Sequence, residues 1–410
     1  MDILLLNDSR YKRELSKAHR VLCMGPMGID RMQHKNDFDL VLPTAMSFDF
    51  HAGLSQLQQI CPGFAPAIIV QFETELNYFY RGIEDAKAIT VWRSIDNHLF
   101  GNWQRFYGQL FDLVLVAQKD YLPAFRASGC HAVWYPLCID PSVHFDREQE
   151  RDLDVSFVGN MNPKMQHDRI AFFNALTEEV SVSLFQGKTQ PEIAAIYNRS
   201  KIVINECLNL DLNYRVFETM ANGAVCLTPR IDGGIAELFT EEEDFIFYEG
   251  NDPTDAARQL NRILSEPKQQ QEIAHSGRDK ALLYHTLSCR VQELLEHTEG
   301  LVARKNRFGG SVSDQFSILS ILAEFHFGIA KDNALHLTDL CALLRERHPE
   351  EYSKRLISIA LDWFERGLLD ASQFFLKQSM KGSRPPLSFV RVRKMLRAKI
   401  RVLSANVPGS

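Results

Sequence analysis

The chain has 410 residues and a mass of 46.9 kDa, enough for two or three domains. Its hydrophobic content of 45% and charged content of 24% are typical of a globular protein. The formal net charge of -6 excludes a general attraction to nucleic acid or acidic membranes. The eight cysteines are scattered without a CxxC pair, so we expect free thiols rather than disulfides or zinc. We expect a cytoplasmic protein, because the sequence shows no secretory signal pattern and no apolar run approaches the ~20 residues of a membrane span.

Short apolar segments alternate with helical stretches up to about residue 255. The first set of predicted strands is DILLL, RVLCMG, FDLVLPT, PAIIVQF, AITVWRS, FDLVLVAQ and HAVWYPL. The second set is DVSFVGN, SVSLFQG, KIVINEC, AVCLTP and DFIFYEG. Such strands, interleaved with helices, indicate parallel sheets covered on both faces. The charged stretch at 144–154 separates the two sets, so we predict one α/β domain over 1–150 and a second over 151–300.

The remainder of the chain is predicted to be helical only. Residues 303–310 (ARKNRFGG) resemble a linker, and four or five short amphipathic helices follow, which makes 301–410 a helical extension. Its last stretch, 384–403, contains seven basic residues and no acidic residue. A solvated terminal helix and a contact with a membrane surface, nucleic acid or an acidic partner both remain open.

The segment 213–230 (NYRVFETMANGAVCLTPR) predicts a helix, a turn and a strand. At 100° per residue, Val216, Phe217, Met220 and Ala221 form a core face, whereas Arg215, Glu218, Thr219 and Asn222 share the other side. Gly223 fits the left-handed position that ends a helix. A cation in the first turn is unfavourable unless an anion is near. Either Glu218 or Asp211 neutralises Arg215, or Arg215 binds an anion such as phosphate and Glu218 accepts hydrogen bonds from a sugar hydroxyl.

Several segments of the second half resemble the C-terminal half of CgeB-like (spore-maturation-type) glycosyltransferases, relatives of the retaining family 4 enzymes. They occur in order and at fitting intervals, at 154–169, 196–206, 213–228, 235–249 and 285–295. The first half resembles the companion domain more loosely, through WRSIDNHLF and FDLVLVAQKDYLPAFRASG. The resemblance implies a GT-B fold, in which two Rossmann-like domains face a cleft, with a helical extension in this chain. It also implies a nucleotide-diphosphate-sugar donor held mainly by the second domain.

The resemblance assigns donor-binding roles by motif position. Glu218 matches the glutamate that holds the donor ribose, and the helix start at Tyr214 and Arg215 lies beside the diphosphate. Backbone N–H groups in the predicted turn after a strand can meet phosphate. The predicted donor-binding residues are Gly159, Asn160, Lys164, Arg169, Asn205, Tyr214, Arg215 and Glu218. The family 4 pattern has a further glutamate where this chain has Leu210, and the adjacent Asp211 is the candidate replacement.

The first domain is predicted to supply the acceptor side and part of the catalytic set. Asp96 and His98 follow a predicted strand, at the edge where α/β sheets bind ligands. Asp96 or His98 could orient an acceptor hydroxyl or act as base. These two residues and Arg215 are the catalytic candidates. A helix-capping aspartate and a surface histidine are the alternatives. The acceptor-side candidates are Gly25 and Gly28, which equally fit a plain turn, and Glu73.

The sequence contains no strong motif for binding a metal or an organic cofactor. DFD (37–39) and DLD (152–154) match the bare DxD pattern, but both precede apolar strands, so we expect no metal. The leading hypothesis is a metal-independent glycosyltransferase that uses a nucleotide sugar as substrate and an unknown acceptor. Retention is implied only by the family 4 kinship. The alternatives are a GT-B-type epimerase and a non-catalytic nucleotide-sugar or partner-binding protein that acts through residues 301–410.

Overall fold

The computed structural model describes residues 1–26, 37–42, 47–73, 79–163, 166–207, 210–231, 233–250, 252–304, 335–365, 368–381 and 387–405. Two separate parallel sheets organise the first three quarters of these residues, and helices alone make up the rest.

The first domain is built on a seven-stranded parallel sheet. Its strands and helices in chain order are β1 Asp2–Leu6, α1 Lys12–Leu15, β2 Arg20–Pro26, β3 Leu40–Leu42, β4 Ser47–Asp49, α2 Phe50–Ile60, β5 Ile68–Phe72, β6 Phe79–Arg81, β7 Ile89–Ser94, α3 Asn97–Tyr107, β8 Leu113–Val116, α4 Leu122–Ala127 and β9 Ala132–Trp134. The sheet has the order β3-β2-β1-β5-β7-β8-β9, and β4 pairs with β6 outside it. Residues of β1, β5 and β8 are almost all buried, because helices cover both faces of the sheet.

The second domain repeats the design with a five-stranded parallel sheet. Its elements are β10 Leu153–Val158, α5 His167–Glu179, β11 Ser183–Phe185, α6 Gln190–Arg199, β12 Ser200–Ile204, α7 Tyr214–Ala221, β13 Val225–Pro229, α8 Ile235–Leu238, β14 Ile246–Tyr248, α9 Pro253–Ser265 and α10 Pro267–Tyr284. The strand order is β11-β10-β12-β13-β14. The predicted core face of α7 is buried, and Gly223 adopts a φ of 71° just after the helix, as the sequence predicts.

The chain returns to the first domain after α10. Helix α11, Leu287–Thr298, shares a hydrophobic cluster with the first sheet through Leu287, Val291 and Leu294. Ile139, after β9, meets the same segment, since its N–H donates to His285 O at 3.0 Å and its carbonyl accepts from Leu287 N at 2.8 Å. The two chain crossings between the domains therefore lie side by side.

The C-terminal region is helical in all its described residues. Its helices are α12 Leu335–Arg347, α13 Pro349–Glu365, α14 Leu369–Ser379 and α15 Leu387–Ala405, packed around buried Leu356, Trp363, Phe375 and Leu396. None of the helices in the described ranges is long and apolar enough to cross a bilayer. The predicted architecture, two parallel-sheet α/β domains followed by a helical extension, is confirmed. Strands β4 and β6 lie outside the predicted set.

Candidate active site in the cleft between the two sheets

The carboxyl edges of the two sheets face each other across a cleft. Arg93, at the end of β7, donates to the Tyr214 hydroxyl at 3.1 Å, and Gln118, after β8, donates to Leu212 O at 3.2 Å. In each sheet the strand order reverses at this edge, between β1 and β5 and between β10 and β12. Open α/β sheets bind ligands at such switch points. The cleft is therefore the place where a ligand-binding site is expected.

Arg215 occupies the switch point of the second sheet. Its Nη2 donates to Val158 O at 2.9 Å at the end of β10, and its Nη1 donates to Asn205 Oδ1 at 2.6 Å beyond β12. The guanidinium lies over the Phe157 ring at 4.6 Å. None of its partners in the described part of the chain is a carboxylate. Neutralisation by Glu218 or Asp211, one of the two sequence interpretations, is therefore not observed.

Glu218 lies one turn further along α7 and forms no ion pair with Arg215. Its Oε1 is 3.7 Å from His144 Nε2. Asn222 fixes the tautomer of this histidine: its amide nitrogen donates to Glu218 O at 2.7 Å, while its amide oxygen accepts from Asn198 at 2.7 Å. That amide nitrogen therefore also donates to His144 Nδ1, at 2.9 Å, and Nε2 carries the proton, which it donates to Gln190 Oε1 at 2.7 Å.

A second arginine shares the edge of the sheet with Arg215. Arg169 forms an ion pair with buried Glu206 and donates from Nη1 to Asn160 O at 3.0 Å. Because Glu206 neutralises Arg169, the charge of Arg215 is the one left uncompensated in this group. Gly159 lies against Phe157 and the Arg215 guanidinium and leaves no room for a side chain there.

Asn205 and Tyr214 are held in place by specific hydrogen bonds. Fully buried Asn205 donates to Thr228 Oγ1 at 3.0 Å and accepts from Asn213 at 3.1 Å as well as from Arg215. The Tyr214 hydroxyl accepts from Arg10 at 3.3 Å in addition to Arg93. Asn205 thus orients the guanidinium, and Tyr214 bridges the two domains.

The first-domain candidates surround a buried carboxyl group. Glu73 accepts from Ile95 N at 2.8 Å and from Gln104 Nε2 at 2.6 Å. Burial, together with the negative charge of Asp96, raises the pKa of Glu73 well above its usual value. Asp96 has a φ of 49°, in the left-handed region, and His98 Nδ1 is buried with no partner among the described residues. Glu73 therefore holds the turn after β7, in which Asp96 lies directly before α3, while His98 lies in the first turn of that helix.

The remaining predicted residues have simpler outcomes. Gly25, at the end of β2, leaves no space for a side chain, because an added Cβ would lie 2.9 Å from Asn7 Cα. Gly28 and Lys164 lie outside the described residues. Leu210, at the departure from the family 4 pattern, is 43% exposed with a φ of 51°. Within the described ranges, no group of three or more His, Cys, Asp or Glu side chains could hold a metal ion.

The sequence interpretation missed the residues that reach the cleft from elsewhere in the chain. They are Arg10, Arg93, Gln104, His144 and Glu206. An arginine inside the apolar strand segment AITVWRS was the one usable signal, because a charged residue in a buried strand needs a specific reason. His144 stands in a charged stretch that the sequence marks only as a domain boundary.

Comparisons with known proteins bear on the second domain and on the fold. Residues 152–296 match the family described as glycosyl transferase-like. A solved structure of HepE from Anabaena in complex with UDP and glucose is 13% identical, covers 73% of this chain and 100% of that chain, and has a TM-score of 0.55. Sucrose-phosphate synthase from Thermosynechococcus elongatus is 11% identical, covers 72% and 98%, and has a TM-score of 0.52. A sequence search of curated proteins found no significant match.

The predicted GT-B fold is thus confirmed by its structural neighbours. The second domain is glycosyl transferase-like over residues 152–296.

Proposed function

We propose that the chain transfers a sugar from a nucleotide-diphosphate-sugar donor to an acceptor, without a metal ion. The observation that carries the proposal is the uncompensated Arg215 guanidinium at the switch point of the second sheet, in the first turn of α7. A leaving diphosphate needs cations and helix N-termini where its charge develops, and this position supplies both. The UDP complex of the similar HepE structure supports a donor of this type.

Glu218 is proposed to hold the ribose. Its carboxylate is not used by Arg215, and it lies 3.7 Å from His144 Nε2, whose proton goes to Gln190 Oε1 at 2.7 Å. A carboxylate oriented in this way can accept hydrogen bonds from the two hydroxyl groups of a ribose. We also propose that the chain is related to the CgeB-like enzymes and to family 4, and that it retains the configuration of the transferred sugar. We propose a cytoplasmic location as well, because the eight cysteines are free thiols.

Asp96 and His98 are proposed to act on the acceptor. They follow β7 at the carboxyl edge of the first sheet, Asp96 in the turn held by Glu73 and His98 in the first turn of α3. Either side chain could accept the proton of an attacking hydroxyl group. The acceptor is proposed to be a protein or a glycan.

The first experiment measures donor binding and turnover. The full chain is screened by thermal shift against UDP-, GDP-, ADP- and dTDP-sugars, and release of nucleoside diphosphate is followed with the best ligand. We expect Glu218→Ala to weaken binding of that donor at least tenfold, because the ribose loses its acceptor. Glu178→Ala, at an exposed position of α5, is the matched control and should bind as wild type does.

Each result has a definite meaning. Equal binding by wild type and Glu218→Ala would remove the ribose role. A donor that binds but is neither hydrolysed nor transferred would favour the non-catalytic alternative. A product with an altered sugar still attached to the nucleotide would favour an epimerase.

A further inference from the structure

Two arginines of the first domain converge on a single hydroxyl group of the second. Arg93 Nη2 and Arg10 Nη1 donate to Tyr214 Oη at 3.1 Å and 3.3 Å. The Arg10 guanidinium also lies 5.7 Å from the centre of the Tyr214 ring. Arg93 ends β7 and Arg10 follows β1, so both reach the cleft from the carboxyl edge of the first sheet.

The charges in this group do not balance. Asp8 is the one carboxylate that the described residues place here, and it pairs with Arg10 at 2.5 Å. Burial opposes ionisation of Asp8, but Arg10 and then Arg93 outweigh it and lower the pKa of the carboxyl. Among the residues that the structure describes, two guanidinium groups thus face one carboxylate.

No carboxylate within the described ranges forms an ion pair with Arg93. The residue is 2% exposed, and its Nε has no hydrogen-bond partner among the described residues. Its hydrogen bond goes to a neutral phenol, which is a weak partner for a buried cation. A buried cation in a protein is ordinarily paired with an anion. The geometry is that of an anion site closed by the Tyr214 hydroxyl.

We infer that Arg93 and Arg10 bind a phosphoryl group, whose oxygen atoms take the place of the Tyr214 hydroxyl. Guanidinium groups match phosphate oxygens in planar, paired hydrogen bonds. The inference deepens the proposed function and rests on it, because it assigns the first domain a direct part in holding a phosphorylated substrate. Two sources share this chemistry, the diphosphate of the donor and a phosphate on the acceptor.

The test is calorimetric titration of the full chain with inorganic pyrophosphate and with UDP. We expect Arg93→Gln and Arg10→Gln each to weaken pyrophosphate binding at least tenfold. Tyr214→Phe should strengthen it severalfold, because the competing hydroxyl is gone. Arg20→Gln, an exposed arginine of the same domain that pairs with Asp2, is the matched control and should leave the affinity unchanged.

A second set of titrations separates the two sources. If Arg93→Gln weakens the binding of UDP as well as that of pyrophosphate, the phosphoryl group belongs to the donor. If the variant binds UDP as wild type does, but no longer binds inorganic phosphate when saturated with UDP, the phosphoryl group belongs to the acceptor. Wild-type affinity for all three probes in folded Arg93→Gln and Arg10→Gln overturns the inference, as does a wild type that binds neither pyrophosphate nor phosphate.

The anion site can still be tested if one variant misfolds or if the chain binds no nucleotide. Arg10 is partly exposed and tests the site even where Arg93→Gln does not fold. Glu218→Ala should weaken the binding of UDP but not that of pyrophosphate. Pyrophosphate binding that depends on Arg93 in a chain that binds no nucleotide would leave the anion site standing and refute the proposed donor.

Discussion

Gly159 shows how a single residue shapes the second-domain side of the cleft. A Cβ at this position would lie 2.5 Å from Phe157 Cζ and 3.2 Å from Arg215 Nη2. The Phe157 ring is itself packed against Phe173, with 4.5 Å between the ring centres, so it cannot move away freely. The glycine is therefore what lets the ring lie beneath the guanidinium.

We predict that Gly159→Ala lowers the free energy of unfolding by about 1–3 kcal/mol, the usual cost of overpacking. It should also weaken donor binding, because Arg215 must shift with the ring. Denaturant unfolding and calorimetry measure the two effects. Gly250→Ala is the control, since nothing lies within 4 Å of a Cβ there. Equal stability and affinity in both variants would show that Phe157 has room to adjust.

His285 links the stability of the protein to pH. Burial, and then the positive charge of Arg290, lower the pKa of His285 to about 3. Arg290 donates to His285 Nδ1 at 2.7 Å, which favours the neutral ring. The unfolded chain takes up a proton on this residue below about pH 6.5, whereas the folded chain does so only near pH 3. Acid therefore favours the unfolded state across this window.

We predict that His285 costs wild type roughly 2 kcal/mol of unfolding free energy between pH 6.5 and pH 5, at about 1.4 kcal/mol per pH unit. In His285→Gln the glutamine oxygen can still accept from Arg290, but the side chain does not titrate. The unfolding free energy of the variant should therefore fall by about 2 kcal/mol less than that of wild type between pH 6.5 and pH 5. Urea unfolding at several pH values gives the comparison. Parallel curves for the two proteins would contradict the assignment.

At the scale of elements, α15 presents a basic face to solvent. Leu396 and Ile400 are buried against the neighbouring helices, while Arg391, Lys394 and Arg397 are exposed. No acidic residue occurs between Leu387 and Ala405. The proposal that this end of the chain contacts an anionic surface has its physical basis in this face.

We predict that the full chain binds vesicles containing phosphatidylserine and that Lys394→Gln/Arg397→Gln weakens binding about 30-fold, at ~1 kcal/mol per basic residue. Co-sedimentation at low and high salt is the measurement. Arg258→Gln/Lys268→Gln removes two exposed charges of the second domain and is the matched control. Identical binding by the two double variants, or none by wild type, would exclude this role.

For the whole molecule, the order of chain segments explains which features the sequence can predict. Arg215, Glu218 and Gly223 lie within one helix and its turn, so a helical period of 3.6 residues suffices to place them. The strands of both sheets are equally local, because their apolar runs signal burial on two faces.

Contacts between distant segments are what the sequence alone leaves out. Arg93 meets Tyr214 across 121 positions, and His144 lies beside Asn222 across 78. The return of α11 to the first sheet likewise depends on packing against residues near the other end of the domain. No local period or spacing encodes such pairings, so the interdomain half of the site emerged only with the structure.

We propose that a nucleotide-diphosphate donor binds between the two sheets. The most direct measurement is a crystal structure of the full chain with the nucleotide sugar that the binding screen selects. We expect the ribose at Glu218 and the diphosphate between the start of α7 and the carboxyl edge of the first sheet. A nucleotide bound anywhere outside this cleft, or a cleft that stays empty at saturating donor, would contradict it.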